Sequence, residues 1–127
     1  MITGHIDENL EARVALQIVH KDGGEDVEFL IDTGFNGYLA VSPSLVERLD
    51  LQLGAVQRGI TADGRAGFFD TVEVKVIWHD QLRTLRAQVL DEPLIGTRLL
   101  DGNELTADWR MGGEFRIAKN TRRPIDG

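Results

Sequence analysis

A carboxylate that directly follows an apolar stretch is the first residue of this chain whose position could support chemistry. Residues 29–31, Phe-Leu-Ile, run straight into Asp32, Thr33 and Gly34. A turn after a buried strand would hold the Asp32 carboxylate rigidly and partly out of solvent. The Thr33 hydroxyl could fix that turn, and Gly34 permits a backbone conformation that brings main-chain amides close to the carboxylate.

A carboxylate held in this way becomes useful for catalysis when a second one faces it. Two facing carboxylates cannot both ionise, so they share one proton, and one can act as a base on water while the other acts as an acid. The triplet Asp-Thr-Gly occurs once in 127 residues, so the chain would hold half of such a pair. The triplet is also ordinary turn chemistry, and it arises by chance in roughly a few per cent of chains of this size. The surrounding elements must decide between these interpretations.

Short strands with regular turns are predicted on both sides of the triplet. Residues 12–19 alternate between apolar and polar positions, 20–24 form a turn cluster, and 27–31 form the returning strand that ends at Asp32. Further strands are predicted at 72–78, 85–89, 104–109 and 114–117, and an Asp-Gly hairpin tip lies within 60–68. This pattern predicts an all-β fold, a small closed or partly closed β-barrel.

Two short helices interrupt the strands. Ser42 is a good N-cap and Pro43 suits the first helical position, so a helix is expected from there to about residue 51. Ser44 with Glu47 offers an alternative start as a capping box. A second helical piece is predicted at 97–100.

Composition sets the general class. The length of 127 residues fits one domain, which we place at 1–118 with a polar tail at 119–127. The absence of cysteine excludes disulfides and thiolate metal sites. A net charge of −7 disfavours nucleic acid as the main partner. Neither a signal peptide nor a membrane-spanning stretch is visible, so we expect a cytoplasmic protein that does not bind membranes.

Other chemical sites find little support. His5, His20 and His79 lie far apart in the sequence without paired ligand spacing, so no metal site is predicted. No glycine-rich phosphate loop with lysine and no Gly-x-Ser-x-Gly motif is present. The two tryptophans, Trp78 and Trp109, are best explained by packing in the core or at an interface.

Two motifs together resemble the retropepsin-like family, the single-domain aspartic proteases of the retroviral type. Segment 29–39, Phe-Leu-Ile-Asp-Thr-Gly-Phe-Asn-Gly-Tyr-Leu, looks like the active-site loop of that clan. Leu94, Ile95 and Gly96 resemble its second hallmark, two apolar residues and a glycine that thread through the active-site loops before a short helix. The resemblance covers roughly residues 10–118. Within it, 34–39, the helix at 43–49 and 112–117 are similar to small prokaryotic proteins described as clan AA aspartic proteases.

The resemblance implies a retropepsin-like closed β-barrel, an acid-protease fold, that acts as an endopeptidase on peptide or protein substrates. It implies that Asp32, Thr33 and Gly34 are the catalytic residues. Asp32 from each subunit of a homodimer would form the dyad, and Thr33 would brace the two loops across the dimer axis. Neither a metal nor an organic cofactor is implied. Substrate binding is expected at the flap residues Thr61, Ala62, Asp63 and Gly64 and at Ile95.

The chain departs from the family pattern in two places. Retroviral enzymes usually carry Ala or Ser after the triplet, where a hydroxyl would bond the outer carboxylate oxygen, whereas this chain has Phe35. The flap candidate 62–65 also carries charge. Two alternatives to an active peptidase therefore stay open. One is a dimer whose groove binds peptides but has lost the chemistry, and the other is a regulatory domain that uses only its dimer surface.

Overall fold

The predicted strands and helices occur in the predicted order, and the structure adds three short strands that were not predicted. The computed structural model describes residues 1–21, 23–54, 57–60 and 66–121, with the backbone alone at 57–60 and 66–69. The helices are α1 (Pro43–Arg48) and α2 (Thr97–Leu100). The strands are β1 (Ile2–Ile6), β2 (Ala12–His20), β3 (Gly23–Ile31), β4 (Leu39–Val41), β5 (Gln57–Ile60), β6 (Ala66–Phe69), β7 (Thr71–Trp78), β8 (Gln81–Val89), β9 (Leu94–Ile95), β10 (Asn103–Ala107) and β11 (Glu114–Lys119).

Six of these strands close into a barrel. The sheet order β10-β11-β1-β2-β3-β9-β4-β8-β7 is completed by a pairing of β2 with β7, in which Ile18 faces Val76. The ring therefore runs β2-β3-β9-β4-β8-β7, and β1, β11 and β10 extend the sheet from β2. The predicted fold class is confirmed: the chain is mostly β, a closed six-stranded barrel with two short helices.

Alternating side chains fill the barrel. Val14, Leu16 and Ile18 of β2 are buried, while Ala15 and Gln17 between them are exposed. The same alternation in β7 buries Val72, Val74, Val76 and Trp78. A strand with one buried face has this period of two, and a slip by one residue would expose the whole apolar set. The alternation of buried and exposed residues therefore fixes the register in which β2 pairs with β3, the strand that ends at Ile31.

Helix α1 begins where Ser42 predicts it. Ser42 has extended backbone angles (φ −83°, ψ 157°), and its Oγ accepts the N–H of Leu45 at 3.2 Å. Pro43 occupies the first turn, where its missing N–H leaves no intrahelical bond unmade. The alternative start at Ser44 is therefore wrong. The helix ends at Arg48, earlier than expected, and Leu49 caps it.

The structure differs from the sequence predictions at both ends. Strand β1 was not predicted; it pairs with both β2 and β11, and Gly4 in its middle breaks the apolar alternation. The strand expected at 104–109 ends at Ala107, and a turn follows in which the Arg110 N–H donates to the Asp108 carbonyl at 2.9 Å and the Gly113 N–H donates to the Arg110 carbonyl at 2.8 Å. Strand β11 continues through Lys119, one residue past the expected domain boundary. In the part of the chain that the structure describes, no helix is long and apolar enough to cross a membrane.

Candidate active site

Strand β9 lies between β3 and β4 and supports the turn that carries Asp32. Leu30 pairs with Leu94 and Ile31 with Ile95 in parallel register, while Leu39 on the other side pairs with Ile95 antiparallel. At the end of β3, the Asp32 N–H donates to the Ile95 carbonyl at 3.0 Å. The structure thus brings together the two motifs that the sequence singled out.

The carboxylate of Asp32 is held by its own loop. The Gly34 N–H donates to Oδ1 of Asp32 at 2.9 Å, and the Phe35 N–H donates to the Asp32 carbonyl at 3.1 Å. A Cβ on Gly34 would lie 3.2 Å from the same Oδ1, so glycine allows this close approach of the amide. Asp32 is half-buried, and within the described residues Oδ2 accepts no hydrogen bond. One carboxylate oxygen is therefore fixed and the other is available to a second group.

Thr33 and Gly34 are both exposed at the tip of this loop. Within the described ranges the Thr33 hydroxyl makes no hydrogen bond, so it does not brace its own turn. The sequence-based role for Thr33, which acts across a dimer axis, stays a prediction.

The Leu-Ile-Gly motif supports the loop from beneath. Gly96 donates its N–H to the Tyr38 carbonyl at 3.0 Å, and the Arg98 N–H donates to the Gly37 carbonyl at 3.2 Å. A Cβ on Gly96 would lie 2.2 Å from the Gly37 carbonyl oxygen, so no side chain fits there. The Ile95 side chain is fully buried in the core. Its contribution here is support of the Asp32 turn, and direct contact with a substrate stays a prediction.

Phe35 lies against this motif. Its carbonyl accepts the N–H of Thr97 at 2.9 Å and the Thr97 hydroxyl at 3.4 Å. Its half-buried ring packs with Leu30, Ala40 and Leu94, a small apolar cluster separate from the barrel core. The sequence analysis placed Thr97 only at the start of a helix and did not predict its contact with Phe35.

The flap candidate is a hairpin. Strand β5 pairs with β6 antiparallel, with Gln57 opposite Phe69 and Ile60 opposite Ala66. The expected substrate-binding residues Thr61, Ala62, Asp63 and Gly64 lie outside the described residues. The hairpin was predicted, and the substrate contacts of its tip stay a prediction.

An ion pair near the start of β2 was missed by the sequence analysis. Nε of Arg13 donates to Oδ2 of Asp7 at 2.9 Å, and Oδ1 of Asp7 accepts the N–H groups of Asn9 and Glu11, each at 2.9 Å. The bond from the Glu11 amide, followed by that from Arg13, lowers the pKa of Asp7 below its usual value. Arg13 pairs with Leu30, two residues before Asp32. An Asp two residues before Asn9 is the turn signal that could have indicated this arrangement.

The acidic and histidine side chains of the described residues form no cluster of three that could hold a metal ion. Around Asp32 the structure places the Thr33 hydroxyl and main-chain amides beside the carboxylate.

Comparison with known proteins gives one informative likeness. Neither a family model nor a curated protein matches the chain. Among solved structures, EIAV protease in complex with the inhibitor HBY-793 superimposes with a TM-score of 0.50 and 19% sequence identity, over 75% of this chain and 91% of that one. At this identity the likeness concerns the fold. The chain therefore has a retropepsin-like fold, shared with a retroviral protease.

Proposed function

We propose that this protein is an aspartic endopeptidase that hydrolyses peptide bonds through a water molecule activated by two copies of Asp32. The placement of Asp32 carries the proposal: a half-buried carboxylate at the end of β3, with Oδ1 bonded to the Gly34 amide and Oδ2 without a bond among the described residues. The backbone therefore orients this carboxylate, and its Oδ2 can still hydrogen-bond to a second carboxyl group.

The reaction needs two carboxyl groups in opposite protonation states. The ionised one takes a proton from water, and the resulting oxygen nucleophile forms a bond to the carbon of the scissile carbonyl. The protonated one gives its proton to the carbonyl oxygen, which yields a neutral tetrahedral intermediate. When that intermediate collapses, the carbon–nitrogen bond breaks and the carboxyl group that took a proton from water gives it to the nitrogen. The other carboxylate takes a proton from a hydroxyl of the intermediate, so the dyad again shares one proton.

A homodimer supplies the second carboxylate in this proposal, because the triplet occurs once in the sequence. Thr33 is exposed and its hydroxyl forms no bond among the described residues, so it is free to pair with its twin across the axis. Trp109, for which the sequence left core and interface packing open, is 58% exposed, which favours the interface.

The substrate is a peptide or protein segment that lies extended along the dimer groove. Residues Thr61, Ala62, Asp63 and Gly64 would cover it, and strand-like pairing would bind its backbone independently of sequence. We further propose a cytoplasmic protein related to the small prokaryotic clan AA proteins, on the likeness of segments 34–39 and 112–117. No cofactor enters the reaction.

Digestion of a peptide library at mildly acidic and at neutral pH tests the proposal. The parent and the Asp32→Asn variant are purified identically, and new amino termini are identified by mass spectrometry. We expect discrete cleavages by the parent and none by the variant. Equal cleavage by both proteins would show that Asp32 does not carry the activity.

A second candidate is a dimeric domain that binds peptides without cleaving them. Phe35 favours this alternative, because it cannot give the carboxylate the hydroxyl that Ser would supply at this position. Saturable binding of library peptides by the parent, with no cleavage at either pH, would select it. A monomer that neither binds nor cleaves would instead favour a regulatory domain.

A further inference from the structure

The ring of Phe35 fills the space that two glycines leave. A Cβ built on Gly37 would lie 2.5 Å from Cζ of Phe35, and a Cβ built on Gly96 would lie 2.7 Å from its Cδ2. Real Cβ atoms essentially never approach so closely, so the ring contacts both backbones directly. The ring is therefore wedged between the loop that carries Asp32 and the junction of β9 with α2.

The main chain of Phe35 joins the same two segments. Its carbonyl accepts the Thr97 N–H at 2.9 Å, at the start of α2. Its N–H donates to the Asp32 carbonyl at 3.1 Å, which closes the turn 32–35. Both the ring and the backbone of Phe35 thus connect the turn 32–35 to the junction of β9 with α2.

Between Asp32 and Phe35 lies the amide that orients the carboxylate. The Gly34 N–H donates to Oδ1 of Asp32 at 2.9 Å, and the direction of that N–H depends on the turn that Phe35 closes. Gly34 itself is exposed, and among the described residues other than its chain neighbours a Cβ there would meet only Oδ1 of Asp32 within 4 Å, so packing does not fix it.

We propose that Phe35 is a positioning residue that fixes the Asp32 carboxylate by wedging its ring between Gly37 and Gly96. The inference rests on the proposed function and deepens it, because it assigns a role to the residue that sets this chain apart from retroviral enzymes. Where such an enzyme has Ser at this position, the hydroxyl would orient the carboxylate by a hydrogen bond, whereas here apolar packing holds the turn and the Gly34 amide orients the carboxylate.

The test compares Phe35→Ala with Leu16→Ala, a truncation of a buried residue of β2 that faces the barrel core. Each protein is assayed below its unfolding transition, so that the folded fractions are equal. Phe35→Ala should lower kcat by about 10- to 100-fold and change KM by less than about threefold, because misplacement of a reacting group affects the transition state more than binding. Leu16→Ala should keep the parent kcat, and Phe35→Leu should restore most of it.

Hydrogen exchange of the Gly34 amide gives a readout that does not depend on turnover. In Phe35→Ala this amide should exchange at least about ten times faster than in the parent, while amides of β7 keep their protection. In Leu16→Ala the ratio of the Gly34 exchange rate to the exchange rates of the β7 amides should be the same as in the parent. If the parent cleaves no peptide, the proposed function fails, and the exchange comparison still decides whether Phe35 positions the loop.

Gly37→Ala provides a second variant if Phe35→Ala does not fold. Its added Cβ would displace the ring of Phe35 without removing it, so we expect the same loss of kcat and the same faster exchange at Gly34. Unchanged exchange at Gly34 in both variants, with kcat equal to that of Leu16→Ala, would overturn the proposal and leave Phe35 as an ordinary packing residue.

Discussion

The N–H of Asp32 donates to the carbonyl of Ile95 at 3.0 Å, which joins the end of β3 to the end of β9. The two residues are far apart in sequence, so the position of the carboxylate depends on the closure of the barrel as a whole. Closing a loop of this length costs entropy that only slowly increases with length, and the buried strands β3, β4 and β9 offset that cost. The turn that carries Asp32 is thus a product of tertiary structure, even though its residues are contiguous.

Gly96→Ala should disrupt the site and destabilise the fold. The new Cβ would lie 2.2 Å from the carbonyl oxygen of Gly37 and 2.7 Å from that of Phe35, and both are backbone atoms that cannot rotate away. We expect a loss of about 1–3 kcal/mol or more in the free energy of unfolding, as for overpacked cores, together with loss of turnover. Urea denaturation measures the stability.

Gly102→Ala serves as the control for Gly96→Ala. Gly102 has φ +79°, and none of the described residues lies within 4 Å of its Cβ position, so alanine there suffers backbone strain without a collision among them. This variant should lose about 1 kcal/mol and keep the parent's activity. If both variants lose the same stability and neither loses activity, the close approach at Gly96 does not matter to the site.

Acid should weaken the loop that Asp7 organises. The pKa of Asp7 is lowered in the folded protein, by the Glu11 amide first and by Arg13 next. A lowered pKa contributes stability that is fully present above the unfolded value of about 3.9, and that is lost as pH falls through the folded value. The stability difference between the parent and Asp7→Asn should therefore be largest above about pH 4 and shrink below it.

Asp26→Asn is the matched control for this pH series, because Asp26 is an exposed carboxylate on β3. Melting temperatures of the three proteins between pH 2 and pH 7 provide the measurement. A parent and an Asp7→Asn variant that differ by the same amount at every pH would contradict the assigned linkage, since only an ionisable Asp7 makes the difference depend on pH.

The sequence was sufficient to predict the strands whose alternation is strong. The apolar positions of β2 and β7 recur every second residue, and the Ser42-Pro43 pair marks a helix start by its hydrogen-bonding chemistry. Strand β1 was not predicted because Gly4 interrupts its alternation of apolar and polar residues. That glycine is required by a neighbour: a Cβ there would lie 2.1 Å from the Arg13 carbonyl oxygen. The glycine in β1 is thus explained by the close approach of β2, and such a contact between strands cannot be inferred from the local sequence.

For the candidate site, the sequence could indicate which residues take part but not the packing contacts that hold them in place. Asp32 and Gly96 were found because their motifs are contiguous. The contacts of Phe35 with Gly37 and Thr97 depend on how β9 passes between β3 and β4, a threading that no local pattern encodes. The resemblance could suggest this strand arrangement, but the position of the Phe35 ring between Gly37 and Gly96 is known only from the structure.

Removal of the Thr33 hydroxyl should weaken the dimer and leave the folded subunit intact. Thr33→Val keeps the shape of the side chain, and the hydroxyl makes no bond within the described residues that the subunit would lose. If each hydroxyl bonds across the axis, two bonds of about 0.5–1.5 kcal/mol are lost per dimer, which weakens Kd roughly five- to hundredfold. Sedimentation equilibrium measures Kd, and Thr33→Ser should retain most of the affinity. An unchanged Kd in Thr33→Val would remove Thr33 from the interface.

Asp32→Asn separates a catalytic carboxylate from a structural one. In the proposed dimer two Asp32 side chains face each other at close range, so at neutral pH the pair must either bind a shared proton or carry two like charges, and both oppose association. Asparagine has nearly the same shape, carries no charge and can hydrogen-bond its twin. The variant should therefore lose all turnover, keep the dimer, and at neutral pH be at least as stable as the parent.

A carboxylate that only caps its own turn predicts the opposite result. The Gly34 N–H bonds to Oδ1 of Asp32, and loss of the negative charge would weaken that bond at a cost of about 1 kcal/mol. Thermal melts and peptide turnover at pH 7, measured on both proteins at equal concentration, distinguish the two roles. A variant that is clearly less stable than the parent and still cleaves peptides would contradict the dyad, because water activation would then not depend on the ionisable group of Asp32.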